Sequence, residues 1–196
     1  APEITIDPIS VDYMINEKES NEPLTISGTT TGVENGQTVI VTIDGVEVGT
    51  ATVNEGVWSL AGVDVSELAD GAREVTASVT DKAGNPATDT RDVTVDTDAP
   101  TLGITLDAIA EDNVINKAES EETGIVVTGT VTGDVVVGDK VTLSVNNKEF
   151  EATVVADGEG GFRFEGTIPG ADLAADTSVT ASISKADEAG NESTAT

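Results

Sequence analysis

The stretch Asp12-Tyr13-Met14-Ile15-Asn16-Glu17-Lys18-Glu19-Ser20 returns 100 residues later as Asp112-Asn113-Val114-Ile115-Asn116-Lys117-Ala118-Glu119-Ser120. Other segments return in the same order: 26–29 at 127–130, 75–79 at 179–183, and Ala83-Gly84-Asn85 at Ala189-Gly190-Asn191. A period of this length is a whole domain rather than a solenoid unit. The sequence therefore predicts two copies of one domain, residues 1–96 and 97–196, each large enough for its own core.

Both copies show the pattern of short strands and tight turns. Asp44-Gly45 is a type I′ hairpin signal, and Asn146-Asn147 takes its place in the second copy. One helical turn is expected at residues 66–70, with Leu68 in the core and Leu173 as its counterpart. The predicted strands are 3–7, 24–30, 38–43, 46–53, 57–60, 73–80 and 87–95 in the first copy, and 101–106, 125–132, 140–145, 148–155, 162–167, 178–184 and one that starts at 193 in the second.

This pattern predicts an all-β protein made of two tandem Ig-like seven-stranded β-sandwiches arranged end to end. The linker Asp96-Thr97-Asp98-Ala99-Pro100 joins them, and its proline keeps the preceding residue extended. The few aromatic side chains, Trp58, Phe162 and Phe164 among them, occupy strand interiors. We therefore expect these three in the cores rather than on a ligand-binding surface.

Composition excludes several classes of function. The chain carries 37 acidic and 9 basic residues, for a net charge of −28, which disfavours nucleic acid and anionic membranes and favours cations as partners. It has no Cys and no His, so disulfides, the usual zinc sites and Ser-His or Cys-His nucleophiles are excluded. No apolar run is long enough to span a membrane, and no signal peptide is visible. The second copy stops where the first continues into residues 91–96, so we expect a fragment of a longer chain.

The acidic residues could serve solubility alone, but some recur at matched positions. In a sandwich of seven strands that alternate in direction, three segments should meet at one place. They are the loop after the first strand of copy one, the linker, and the loop between the sixth and seventh strands of copy two. Calcium takes six to eight oxygen ligands in a tolerant geometry. The sequence therefore predicts a calcium site at this junction, with candidate ligands Asp12, Asn16, Glu19, Asp96, Asp98, Asp187 and Asn191.

The same reasoning predicts half-sites toward further domains at the two ends of the chain. Asp81 and Asn85 form one, and Asp112, Asn116 and Glu119 form the other. The alternative is ordinary turn chemistry, in which the Asp-x-x-Gly-Asn loops are turns and Asn16 and Asn116 cap helical turns.

The chain resembles a known family, the tandem Ig-like extender domains of giant repeats-in-toxin (RTX) adhesins of Gram-negative bacteria. The resemblance is carried by residues 96–100, by 112–116 with Glu119, by 127–130 and by 187–191. It implies calcium-rigidified stalk modules at the cell surface that project a ligand-binding tip in biofilm formation or host attachment. It also implies neighbouring repeats of the same chain and calcium as partners, and a monomer. The chain departs from the family pattern at two places. Copy one lacks an Asp-Thr-Asp before Ala1, and its loop 81–85 is one residue simpler than the matching loop of copy two.

Two other classes of function are open at this point. A carbohydrate- or peptide-binding module is the alternative, with Tyr13 as the one exposed aromatic that could stack on a sugar. An enzyme is disfavoured, since paired carboxylates would need a cleft and an asymmetry that the two similar copies do not suggest.

Overall fold

The computed structural model describes residues 1–176 and 178–196. These residues form two compact units, one made of residues 1–98 and 188–191 and the other of residues 99–187 and 192–196. Each unit has its own apolar core, and strands dominate both. The predicted all-β class with Ig-like sheets is confirmed.

The first unit packs two sheets against each other. One sheet has the order β1-β3-β6 and the other β2-β8-β7-β4-β5. All pairings are antiparallel except that of β2 with β8. The core draws on both sheets, with Ile26 and Trp58 from one and Val41 and Val75 from the other. The elements are β1 (Glu3–Ile6), β2 (Met14–Ile15), α1 (Glu17–Ser20), β3 (Leu24–Thr31), β4 (Thr38–Ile43), β5 (Val46–Thr52), β6 (Val57–Val63), β7 (Gly71–Thr80) and β8 (Pro86–Val95).

The second unit has one continuous sheet in the order β15-β14-β11-β12-β13-β10-β9. It is continuous because β12 pairs with both β11 and β13, and its core centres on Phe164 and Leu143, both fully buried. The elements are β9 (Leu102–Leu106), α2 (Lys117–Ser120), β10 (Ile125–Gly133), β11 (Lys140–Val145), β12 (Lys148–Ala156), β13 (Phe162–Ile168), α3 (Gly170–Ala175), β14 (Thr180–Ala186) and β15 (Glu192–Ala195).

The hairpin turns form as their residues predict. A type I′ turn needs positive φ at both central positions. Asp44 and Gly45 have φ of 50° and 78°, and Asn146 and Asn147 have 51° and 56°. Gly suits this region because it lacks a Cβ, and Asn is among the few other residues that tolerate it. The pairing of β4 with β5 and of β11 with β12 follows from these turns.

The structure differs from the prediction at two places. Residues 66–70 form no helix, although Leu68 packs against the core as expected. At the corresponding place in the second unit a helix does form, α3, and its Leu173 is 4% exposed. The connection is longer there, because β13 ends at Ile168 and β14 begins at Thr180, whereas β6 ends at Val63 and β7 begins at Gly71. The short strand β2 inside the acidic loop was not predicted at all.

Candidate functional site

The acidic loop of the first unit builds a capped helical turn. Asn16 is the N-cap of α1, and its Oδ1 accepts a hydrogen bond from the Glu19 backbone N–H at 2.9 Å. Glu19 Oε2 accepts in return from the Asn16 N–H at 3.2 Å. This reciprocal capping box satisfies two N–H groups that would otherwise lack partners. Asp12 Oδ1 accepts from the Met14 N–H at 3.0 Å and so closes the turn before β2.

The corresponding loop of the second unit repeats this geometry. Asn116 Oδ1 accepts from the N–H groups of Ala118 and Glu119 at 2.8 and 3.1 Å. Glu119 Oε2 accepts from the Asn116 N–H at 2.8 Å, and Asp112 Oδ1 accepts from the Val114 N–H at 3.0 Å. The recurrence of Asp-x-x-Ile-Asn-x-x-Glu therefore has a local structural cause. Turn and cap chemistry, the alternative interpretation of the motif, is present in both units.

The first unit also contains four residues from far along the sequence, 188–191. The Asn16 side chain donates through Nδ2 to the Ala189 carbonyl oxygen at 3.0 Å. Asn191 accepts at Oδ1 from the Glu17 N–H at 2.8 Å and donates through Nδ2 to the Asp96 carbonyl oxygen at 2.8 Å. Asn191 is 5% exposed. The structure thus brings three of the predicted site residues, Asn16, Asp96 and Asn191, into one hydrogen-bonded cluster.

The predicted carboxylate ligands do not form a ready-made cage. Asp96 Oδ1 accepts from the Asp98 N–H at 3.3 Å, while Asp187 directly follows β14 in the second unit. Across residues 1–176 and 178–196, no three acidic, histidine or cysteine side chains are grouped closely enough to hold a metal ion. Asp12, Glu19 and Asp96 each accept a hydrogen bond from the backbone N–H of a nearby residue.

The loop with Asp81 and Asn85 is a tight turn. The Asn85 side chain donates through Nδ2 to Asp81 Oδ2 at 2.8 Å, and its backbone N–H donates to Asp81 Oδ1 at 2.8 Å. These bonds hold the pKa of the Asp81 carboxyl below its ordinary value, and the bond from the Asn85 side chain has the largest effect. The carboxylate stays ionised at neutral pH, but both of its oxygens are engaged within the loop.

One polar cluster of the second unit escaped the sequence analysis. Asp172 in α3 is 7% exposed, and its Oδ1 accepts from Lys148 Nζ at 2.7 Å and from Asn146 Nδ2 at 3.0 Å. The bonds from Lys148 and Asn146 lower the pKa of Asp172. Lys148 and Asn146 are 24 and 26 positions away from Asp172 in the sequence, so no local spacing could have revealed the cluster. The cluster ties α3 to the β11–β12 turn.

The part of the chain that the structure describes contains no helix of the length and apolar character that a membrane crossing requires. Tyr13, the candidate for sugar stacking, is 38% exposed. The guanidinium of Arg91 lies 5.6 Å from its ring centroid and donates to its hydroxyl at 3.3 Å. A cation already covers one side of the ring.

Comparison with known proteins agrees with this picture. The profile of the bacterial Ig-like domain family matches residues 14–97. A solved 1.5-MDa bacterial ice-binding adhesin, described for its host cell surface retention, is 36% identical over 99% of this chain and 62% of that chain, with a TM-score of 0.69. A Ca²⁺-stabilized adhesin with which an Antarctic bacterium binds ice is 35% identical over 98% of this chain and 47% of that chain, also at 0.69. Comparison with curated proteins gives no match.

A fragment of the titin I-band is 17% identical over 100% of this chain and 64% of that chain, with a TM-score of 0.53, which shows a shared fold alone. The two adhesin structures are longer than this chain, which spans 62% and 47% of their lengths. The family profile covers residues 14–97, and the similarity to both adhesins extends along nearly all of the chain. Residues 14–97 belong to the bacterial Ig-like domain family, and the chain as a whole is similar to large ice-binding adhesins.

Proposed function

We propose that this chain provides extender modules of a large bacterial cell-surface adhesin. In this role it is part of an extracellular stalk that projects a ligand-binding tip for biofilm formation or for attachment to a host or surface. The observation that carries the proposal is the 36% identity to the ice-binding adhesin over 99% of the chain. A stalk module needs a stable fold and repetition, and it needs no cleft for catalysis. The role is therefore structural rather than enzymatic.

The duplication supports this role. Residues 1–96 and 97–196 repeat one motif order, and each unit buries its own core. We propose that they act as successive sandwiches arranged end to end, with further repeats of the same kind as neighbours. A net charge of −28 favours a soluble, extended, monomeric protein, because like charges resist collapse and association.

We further propose that calcium stabilises the modules. The donor set fits this ion, because carboxylate, amide and carbonyl oxygens are the ligands that calcium prefers. Asn16, Asn191 and the Asp96 backbone already meet in the first unit, and the candidate ligands Asp12, Glu19, Asp98 and Asp187 each lie within four residues of one of them in sequence. A similar adhesin is described as Ca²⁺-stabilized. The terminal candidates Asp81, Asn85, Asp112, Asn116 and Glu119 would serve neighbouring repeats in the same way.

A carbohydrate- or peptide-binding module is the alternative function. Sugar sites rely on exposed aromatic faces, and the Tyr13 ring carries the Arg91 guanidinium. Trp58 and Phe164 are 2% and 0% exposed, so they offer no stacking surface either. The side chains of this protein therefore favour the stalk over a sugar-binding module.

A charge-removing pair of substitutions tests the calcium proposal. Glu19→Gln with Asp98→Asn removes two candidate ligand charges. Gln at the third position of a helix can still form a capping box, so Glu19→Gln leaves the local fold intact. We expect calcium to raise the unfolding temperature of the wild type in differential scanning calorimetry and to raise that of the double variant much less.

The matched control is Glu47→Gln with Asp92→Asn. Both residues are exposed and lie on strands, and their substitution changes the net charge by the same amount. This variant should keep the full calcium response. An equal loss of response in both variants would show general charge screening rather than a site, and the calcium proposal would be wrong.

A further inference from the structure

The connection between β3 and β4 contains the single Asn–Gly pair of the sequence, Asn35-Gly36. In such a pair the backbone nitrogen of the glycine can attack the side-chain carbonyl carbon of the asparagine, because glycine has no Cβ to obstruct the approach. The attack closes a five-membered succinimide ring. Asn35 is therefore the asparagine of this chain whose local sequence most favours loss of the side-chain amide.

Hydrogen bonds hold both of the groups that would react. The Gly36 N–H donates to the Val53 carbonyl oxygen at 2.9 Å, and Asn35 Oδ1 accepts from the Glu55 N–H at 2.8 Å. The Val53 N–H donates in return to the Gln37 carbonyl oxygen at 2.9 Å. The nucleophile and the amide that it would attack are thus both engaged by the connection between β5 and β6.

The connection between β5 and β6 is a tight turn. Asn54 and Val57 exchange two backbone hydrogen bonds, at 2.9 and 3.0 Å, and Glu55 and Gly56 between them have φ of 52° and 80°. Positive φ at both central positions is characteristic of a type I′ turn. The turn fixes the Glu55 N–H beside the Asn35 side chain.

The second unit keeps this backbone arrangement without the asparagine. Gly138, the counterpart of Gly36, has φ of 97° against 89°, and its N–H donates to the Val154 carbonyl oxygen at 2.9 Å. The residue before it is Val137. The left-handed backbone thus favours the glycine in both units, whereas the turn does not require the asparagine.

We propose that Asn35 is a deamidation site of this protein, and that opening of the contact between residues 35–37 and 53–55 controls the rate of its reaction. The Gly36 nitrogen bonds to Asn35 Cγ and loses its proton, and the side-chain nitrogen leaves as ammonia. Water then opens the succinimide at either carbonyl carbon, which gives aspartate or isoaspartate at position 35. The reaction consumes one water molecule and needs no oxidant or reductant.

Opening sets the rate because the closed contact withholds the nucleophile. When closing is faster than the chemical step, the observed rate is the rate in a free peptide multiplied by the fraction of molecules that are open. Opening breaks the three hydrogen bonds from Gly36, Glu55 and Val53, and each bond lowers the open fraction about fivefold. We therefore expect Asn35 to react about a hundredfold more slowly in the folded chain than in a free peptide.

The two products differ in their effect on the fold. Aspartate keeps an oxygen that can accept from the Glu55 N–H, so this contact survives. Isoaspartate adds a methylene group to the backbone at position 35, which changes the spacing that lets Gly36 and Gln37 both pair with Val53. Formation of isoaspartate therefore leaves this contact open.

The test compares the whole 196-residue chain with a free peptide of residues 33–38, Val-Glu-Asn-Gly-Gln-Thr. Both are incubated in the same mildly alkaline buffer, and deamidation at Asn35 is followed by peptide mapping and mass spectrometry. Enzymatic methylation distinguishes isoaspartate from aspartate. The folded chain should react about a hundredfold more slowly than the peptide. In urea that unfolds the chain, Asn35 should react at the rate of the peptide and ahead of the other asparagines.

Two glycine variants separate opening of this contact from unfolding of the whole unit. Gly56 and Gly62 have similar positive φ, 80° and 78°, so alanine strains the backbone at either position. Gly56 lies in the turn that holds Asn35, whereas Gly62 lies near the far end of β6. Gly56→Ala should deamidate at Asn35 about fivefold faster than the wild type, or more. Gly62→Ala should react at the wild-type rate.

Three results would overturn the proposal. If the folded chain deamidates at Asn35 as fast as the peptide, or if both glycine variants accelerate the reaction equally, the contact with residues 53–55 does not control the rate. If another asparagine reacts ahead of Asn35 in urea, the site is wrongly assigned. None of these outcomes depends on calcium or on the stalk function.

Discussion

Gly129→Ala is expected to unfold the second unit at a much lower temperature, because the added methyl group has no space. Gly129 lies in the middle of β10 on its buried face. A Cβ there would lie 2.1 Å from the Thr105 carbonyl oxygen and 2.3 Å from Phe164 Cε1. The first is backbone of the paired strand β9, and the second belongs to a ring that is 0% exposed. Neither can move without disturbing the core.

The magnitude follows from these contacts. Overpacking a core typically costs about 1–3 kcal/mol, and displacing the Thr105 carbonyl also weakens the β9–β10 ladder by about 1 kcal/mol for each hydrogen bond. We therefore expect a loss of about 3 kcal/mol in the free energy of unfolding. For a domain of this size, that loss lowers the unfolding temperature by roughly 12–24 °C.

Gly103→Ala is the matched control in the same unit. Its Cβ would meet Thr132 Oγ1 at 2.4 Å, with the next atom at 3.8 Å, so the threonine side chain can rotate away. Calorimetry of the two variants, with circular dichroism to confirm the transition, compares them directly. A Gly129→Ala protein within about 0.5 kcal/mol of the wild type, or no worse than Gly103→Ala, would refute the packing argument.

Three further predictions follow from hydrogen bonds and packing within each unit. Asn116→Ala should lower the unfolding free energy of the second unit by about 1 kcal/mol, because the helix cap is lost. Asn16→Ala should lower that of the first unit by about 1 kcal/mol more, since Asn16 also donates to the Ala189 carbonyl oxygen. Equal losses in urea unfolding would show that this bond to residues 188–191 adds no stability. Because the bonds from Lys148 and Asn146 lower the pKa of Asp172, its contribution to stability is present above the ordinary value of 3.8 and is lost as the pH falls below it. The stability gap between wild type and Asp172→Asn should therefore close in acid, and a gap that is constant with pH would be inconsistent with this. Trp58, the single tryptophan, is 2% exposed, so its fluorescence emission should be blue-shifted and should report unfolding of the first unit only. In Gly28→Ala the added Cβ would lie 2.8 Å from Trp58 Cζ2. This variant should move the fluorescence-detected unfolding transition to lower temperature and leave unfolding of the second unit unchanged.

The sequence predicted the strands well because their signals are local. Alternation of apolar residues places Val75, Ala77 and Val79 on one face, and all three are buried. Turn residues fix the hairpins, as the positive φ of Asn146 and Asn147 shows. The limits of most strands agree with the prediction within one to three residues. Trp58 and Phe164 are buried as their strand positions predict, whereas Phe162, which is also expected in the core, is only partly buried at the start of β13.

The features that the sequence did not reveal depend on distant contacts. The strand β2 exists because the backbone of residues 14–15 pairs with β8, some eighty positions away. The Asp172 cluster joins residues that share no motif. The alternation of apolar and polar residues gives information only about residues of the same strand. The β2–β8 pairing and the Asp172 cluster each join residues of different elements.

The candidate site shows why a carboxylate motif is ambiguous. Asp12, Asn16 and Glu19 recur in both copies because each satisfies a backbone N–H of its own loop. The same oxygens are suitable calcium ligands. Sequence alone cannot distinguish a cap from a ligand, since both uses require an oxygen acceptor at the same spacing.

The most direct test of the proposed function measures shape and stability together with and without calcium. Small-angle X-ray scattering and calorimetry of the whole chain are compared in about 5 mM calcium, above the range of extracellular calcium sites, and after addition of EDTA. The proposal predicts that EDTA lowers the unfolding temperature and broadens the distribution of interatomic distances obtained from the scattering. Added calcium should restore both quantities to their original values, and added magnesium should restore neither. An unfolding temperature and a maximum dimension that are the same in EDTA as in calcium would contradict a calcium-stabilised stalk.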